Sequence, residues 1–110
     1  MPYVNVSTSA KVEDKKKLLE ELSMLVSSLT NKSKRFIMAR LEDNSEMYFE
    51  DESSCCFLHI KSIGSLNSSE MAKPISDFVC EKMGIPKDRI YISFEDVPRS
   101  MWAWNGKTFG

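Results

Sequence analysis

The sequence predicts one α+β domain, an α/β sandwich. Its order is βαββαβ, with a four-stranded sheet carrying two helices on one face. Three observations predict this. The chain has 110 residues, the size of a single domain, 1–110. Two long segments repeat apolar residues at helical spacing, and four short ones alternate with period two. The pattern is doubled: Val4 to Phe36 spans 32 positions and Phe57 to Tyr91 spans 34. The halves read as a structural duplication, although no residue-level repeat is visible.

Residues 2–7 alternate, with Pro2, Val4 and Val6 against Tyr3, Asn5 and Ser7, and predict a strand. From about Val12 to Leu29 a helix is predicted, with Leu18, Leu19, Leu22, Leu25, Val26 and Leu29 on one stripe. Thr30-Asn31-Lys32-Ser33 ends it, Asn31 being suited to the left-handed cap. Phe36 to Glu42 alternates as a strand. Residues 42–52 hold six acids and no Lys or Arg, which reads as a solvated loop or a short strand around Met47–Phe49. Cys55 to Ile63 is the next strand, with Cys56, Leu58 and Ile60 on one side and Phe57, His59 and Lys61 on the other. Asn67 to Met83 is the second helix, striped by Met71, Ile75, Phe78, Val79 and Met83, and closed by Gly84 and Pro86. Pro74 requires that the regular helix start near it or kink there. Arg89 to Glu95 is the last long strand, and Pro98 to Gly110 is an aromatic, turn-rich tail.

Composition narrows the function. Fifteen basic residues against sixteen acidic leave a net charge of −1, without the basic excess of a nucleic-acid binder. No apolar run approaches the roughly 20 residues of a membrane helix. The start of the chain lacks the pattern of a secretory signal peptide. Cys55, Cys56 and Cys80 are an odd, unspaced set, which fits reduced thiols in a cytoplasmic setting. His59 has no Cys or Asp neighbour to build a zinc site with. No metal or organic cofactor is expected.

Right-handed crossovers put both helices on one sheet face, over Val4, Val6, Ile37, Leu41, Leu58, Ile60, Ile90, Ile92 and Phe94. The other face then carries Tyr3, Asn5, Arg40, Phe57, His59, Lys61, Tyr91 and Ser93. Such a half-apolar surface invites self-association, so a homo-oligomer is expected.

Pro2 is the residue with most chemistry to offer. Proline after the initiator permits Met1 removal and leaves a secondary amine. An α-amino group titrates near about 7.7–8.0. An apolar pocket and a nearby cation both lower that value, and a neutral amine near pH 7 is a competent general base. Alone, Pro2 reads as a residue that merely starts a strand, since Met-Pro is a common beginning. It comes, however, with an ordered set: Lys32 after the first helix, the Ser62-Ile63-Gly64 turn, Asp88-Arg89-Ile90-Tyr91-Ile92, and Trp104-Asn105-Gly106-Lys107-Thr108-Phe109-Gly110. Together these resemble the macrophage migration inhibitory factor family of the tautomerase superfamily, over essentially the whole chain.

The resemblance implies a homotrimer with three active sites at subunit interfaces. It implies keto–enol tautomerisation of phenylpyruvate-type substrates, small aromatic α-keto acids, and isomerisation of dopachrome-like compounds. Pro2 matches the catalytic proline. Lys32 matches a lysine that binds the substrate carboxylate or keto oxygen, and Ile63 a position whose backbone N–H contacts substrate. Tyr91 matches a tyrosine lent by the neighbouring subunit, and Trp104 and Phe109 match aromatic walls. Ser93 stands where the family often has Asn, and Phe36 where a rim tyrosine is usual, which removes a hydroxyl. Glu50-Asp51-Glu52 replaces a Gly-rich segment and sets acids near the mouth. The family's CxxC keeps only Cys55, with Leu58 in the second position, which argues against thiol–disulfide chemistry. Read singly, Lys32 is an ordinary cation at a helix C-terminus, Tyr91 fills an interface, and the tryptophans are packing residues. The resemblance also implies a second role: a cytokine-like protein that leaves cells without a signal peptide and acts on a host immune receptor, its pocket vestigial.

Overall fold

The computed structural model describes residues 1–110. The long elements follow the expected order: β1 (Tyr3–Thr8), α1 (Lys15–Thr30), β2 (Met38–Glu42), β3 (Cys56–Ser62), α2 (Ser68–Met83) and β4 (Ile90–Asp96). A small hairpin, β5 (Ala103–Trp104) and β6 (Lys107–Thr108), closes the chain.

Local chemistry sets the boundaries. The Asp14 carboxylate accepts a hydrogen bond from the Lys17 backbone N–H at 3.1 Å, so α1 starts there and not at Val12. Asn31 ends it in the left-handed conformation, φ 58°, as Gly84 ends α2 at φ 68°. Helix α2 begins at Ser68 and continues through Pro74, so the alternative of a start near the proline is wrong. Pro74 has no N–H for the Glu70 carbonyl, but Glu70 is exposed and water can serve it.

Two strand expectations are also corrected. Phe36 is not in a strand: Lys34–Phe36 form a single 3-10 turn, capped by Ser33, and β2 begins at Met38. Around Met47–Phe49 there is no strand, only one bridge between Phe49 and Asp51.

The sheet order is β2-β1-β3-β4. β1 runs parallel to β2 and antiparallel to β3, and β3 runs parallel to β4. Each half is therefore a βαβ unit with its helix on the same face, since both crossovers have one hand. Register fixes the two faces. Val4, Val6, Leu58 and Ile60 lie under the helices with at most 1% of their surface exposed, and Leu22, Val26, Met71, Ile75 and Val79 close over them. Leu25, Leu29, Ile37, Leu41, Phe78, Met83, Ile92 and Phe94 pack around this centre, half-buried. Ile85, just past the α2 cap, is fully buried and joins the core. Alternate residues, including Tyr3, Asn5, Arg40, Phe57, His59, Lys61, Tyr91 and Ser93, face away, as the sequence pattern predicts.

Two outcomes test this packing. Leu22→Ala leaves a void between α1 and the sheet and costs about 3 kcal/mol of unfolding free energy, measured by urea denaturation. Burial, with Cys55 beside it, pushes the Cys56 thiol up to about 12. The thiolate is the nucleophile, so at pH 8 a maleimide labels half-buried Cys80 first, and Cys56 only after denaturation.

Candidate active site

Pro2 lies at one end of the sheet, and its position is set by backbone bonds. The Met38 N–H donates to the Pro2 carbonyl at 3.1 Å, which extends the β1–β2 ladder one residue outward. Pro2 is less than 2% exposed. It borders an open cavity of about 680 Å³ whose lining is mostly apolar. Phe36, Trp104, Met38 and Trp102 form walls, and Tyr3, Lys61 and Glu95 supply polar groups.

The walls are held in distinct ways. Phe36 and Trp104 meet edge to face, with ring centroids 5.9 Å apart, a favoured aromatic geometry. Trp104 is presented by the β5–β6 hairpin. Asn105 and Gly106 both have positive φ, 53° and 83°, the type I′ turn that Asn-Gly favours. The hairpin is tied back by the Phe109 N–H on the Trp102 carbonyl, 3.0 Å, and by Arg99 Nε on the Phe109 carbonyl, 3.2 Å.

Lys32 follows the α1 cap, and the Ser27 hydroxyl donates to its carbonyl at 2.6 Å. Its side chain does not line the cavity, but its charge reaches the start of the chain. The Met1 amine is held below the usual α-amino value, first by burial and then by the Lys32 cation. Ile63 sits in the turn after β3. That turn is braced by the Val97 N–H on the Ser62 carbonyl and by the Gly64 N–H on the Asp96 carboxylate, both 2.9 Å.

One chain therefore gathers Pro2, Phe36 and Trp104 around a cavity and brings Lys32 within electrostatic reach. It does not bring the others. The row beside Pro2 is Met38, Tyr3, Lys61 and Glu95; Ser93 is two residues further along β4 and Tyr91 four. At about 3.3 Å per residue, Tyr91 is roughly 13 Å along the strand from that row. Ser93 is engaged on its own sheet, its hydroxyl against His59 Nδ1, while His59 Nε2 meets Glu95 at 3.2 Å. Phe109 lies beyond the hairpin, in a separate hollow with Trp104. Tyr3, Lys61 and Glu95 had no place in the sequence-based site. Their signal was the strand register, since they share the row next to Pro2. No group of three His, Cys, Asp or Glu side chains is placed to hold a metal ion.

The fold has close parallels. The family model described as macrophage migration inhibitory factor matches residues 1–110. A crystal structure of a macrophage migration inhibitory factor homologue from Prochlorococcus marinus superposes with a TM-score of 0.92 at 38% identity, over 98% of this chain and 99% of that one. Macrophage migration inhibitory factor of Xenopus tropicalis is 30% identical over 96 residues, 84% of each chain. The Brugia malayi homologue is 28% identical over the full length of both. Matched end to end in sequence and fold, the chain belongs to the macrophage migration inhibitory factor family.

Proposed function

We propose that this protein is a cofactor-free keto–enol tautomerase of the phenylpyruvate tautomerase and L-dopachrome isomerase type, with Pro2 as general base. The observation that carries this reading is Pro2 buried beside an apolar, aromatic-walled cavity. The chain's leading amine there is depressed by burial and by Lys32. That amine belongs to Met1; removing Met1 leaves the Pro2 amine one residue deeper in the same surroundings.

The neutral prolyl nitrogen takes the C3 proton of an aromatic α-keto acid. Charge then develops on the keto oxygen, and Lys32 with the Ile63 N–H offsets it. Phe36 and Trp104, the aromatic walls of the cavity, flank the ring. The protonated amine then delivers that proton to the keto oxygen, giving the enol, so one C–H bond breaks, one O–H bond forms and no second reactant is needed.

The remaining groups come from association. One end of the open face exposes Phe57 and Tyr91 side by side, and the Pro2 cavity exposes Phe36, Met38, Met101 and Trp104. Two different apolar patches on one chain favour a head-to-tail contact, which closes into a ring when the rotation permits. A trimer built so sets Tyr91 and Ser93 of one copy beside the Pro2 cavity of the next. A second reading, an extracellular ligand of a host immune receptor, is favoured by the relatives' shared name. Receptor binding that persists in Pro2→Gly supports it.

Four measurements test the enzyme. Intact mass shows Met1 absent; its retention leaves no free prolyl amine and sinks the mechanism. Light scattering gives three times 12.6 kDa. Pro2→Gly keeps that mass and loses phenylpyruvate turnover at least about a hundredfold, the scale of a lost general base. The pH profile follows the direction of the shift. The base is active when neutral, so kcat/KM falls as pH drops through a pKa below the ordinary amine range, about 7.7–8.0. In Lys32→Ala the cation is gone, the pKa rises, and the acid limb moves to higher pH.

A further inference from the structure

The acidic segment 49–54 is not a free solvated loop. Arg89 Nε donates to the Ser54 carbonyl at 2.9 Å, Nη1 to the Phe49 carbonyl at 2.9 Å, and Nη2 to the Ser53 carbonyl at 2.8 Å. Nη2 also lies 3.3 Å from the Asp51 carboxylate, with the Arg89 side chain only 15% exposed. The segment's other hydrogen bonds are internal, Phe49 N–H to the Asp51 carbonyl and Ser53 N–H to the Asp51 carboxylate. Every hydrogen bond joining this segment to the rest of the chain is thus donated by one guanidinium. Three converging carbonyls match its planar fork, which a lysine ammonium cannot reproduce.

The clasp reaches further through one ring. The guanidinium carbon stands 5.1 Å from the Phe49 ring centroid, within cation–π range. The Phe49 ring in turn packs on Tyr91, centroids 4.9 Å apart. Tyr91 sits on edge strand β4, 59% exposed, and Phe49 is its one aromatic support. Without that support its χ1 is free to sample other staggered wells.

We propose that Arg89 is a positioning residue. It clasps the 49–54 segment and, through Phe49, sets the Tyr91 side chain that the neighbouring copy's cavity receives. This rests on the reading of Tyr91 as a residue supplied in trans. Arg89 touches no substrate; it fixes where a substrate-contacting hydroxyl stands. Misplacing a contact group by about 1 Å costs up to about a hundredfold.

The test compares phenylpyruvate kinetics of Met1-free wild type, Arg89→Ala, Arg89→Lys, Phe49→Leu, Tyr91→Phe and the Arg89→Ala/Tyr91→Phe double variant. The proposal expects Arg89→Ala and Phe49→Leu to raise KM roughly tenfold, with the acid limb of the pH profile unmoved because Pro2 is intact. It expects Arg89→Lys to resemble Arg89→Ala, and the double variant to be no worse than Tyr91→Phe alone, the sign of one coupled unit. Fully additive losses, a wild-type KM in Phe49→Leu, or full activity in Arg89→Lys overturn it. So does an unaffected Tyr91→Phe enzyme, which leaves the Pro2 mechanism standing. If Arg89→Ala does not fold, Phe49→Leu carries the test. If wild type turns over no phenylpyruvate, the tautomerase reading fails. The positioning is then read directly from the Tyr91 ring resonances, which shift in Arg89→Ala and Phe49→Leu; unshifted resonances overturn it.

Discussion

The site depends on β1 being hydrogen-bonded on both sides. A chain terminus ordinarily frays. Here the first strand is the second of four, parallel to β2 and antiparallel to β3. The ladder to β2 extends to the Pro2 carbonyl. Val4 and Val6, both essentially unexposed, anchor it beneath the helices. A segment that often frays is thereby well fixed, and the Pro2 nitrogen acquires a defined position without a side chain to aim it.

The same topology accounts for the open face. Two crossovers of one hand cover one sheet face and leave the other open. That open face is polar in its middle, where Asn5, Arg40, His59 and Ser93 share a row, and apolar toward its ends. Polar centres are poor glue, and apolar ends are good glue. The chain is thus better suited to end-to-end contact than to stacking sheet on sheet.

Much of this was legible in the sequence. Period-two alternation named both faces of all four long strands, because each strand has one side packed against the core and the register cannot slip without inverting it. Caps at Asn31 and Gly84 were readable because few residues tolerate positive φ. Pro74 did not stop the helix read over Asn67 to Met83, because propensity is a local quantity and the buried stripe of Met71, Ile75 and Val79 outweighs one missing bond. Phe36 misled because a 3-10 turn has no periodic signature. At the site, Pro2, Lys32, Phe36 and Trp104 came from an ordered pattern. Tyr3, Lys61 and Glu95 did not, since their proximity to Pro2 exists only once three strands are in register. Nor could sequence show that the charges of 49–54 surround a carbonyl fork for a single arginine.

The alternating faces carry a consequence for how such a chain can diverge. Inserting or deleting one residue within β3 would exchange Leu58 and Ile60 for His59 and Lys61 in the core. Strand lengths are therefore nearly frozen, while side chains on the open face can be exchanged without touching the packed one. Solved structures at 20–38% identity superpose with TM-scores of 0.71–0.92. Length change is thus steered into the connections, and specificity can drift on one side of a sheet whose other side holds the architecture constant.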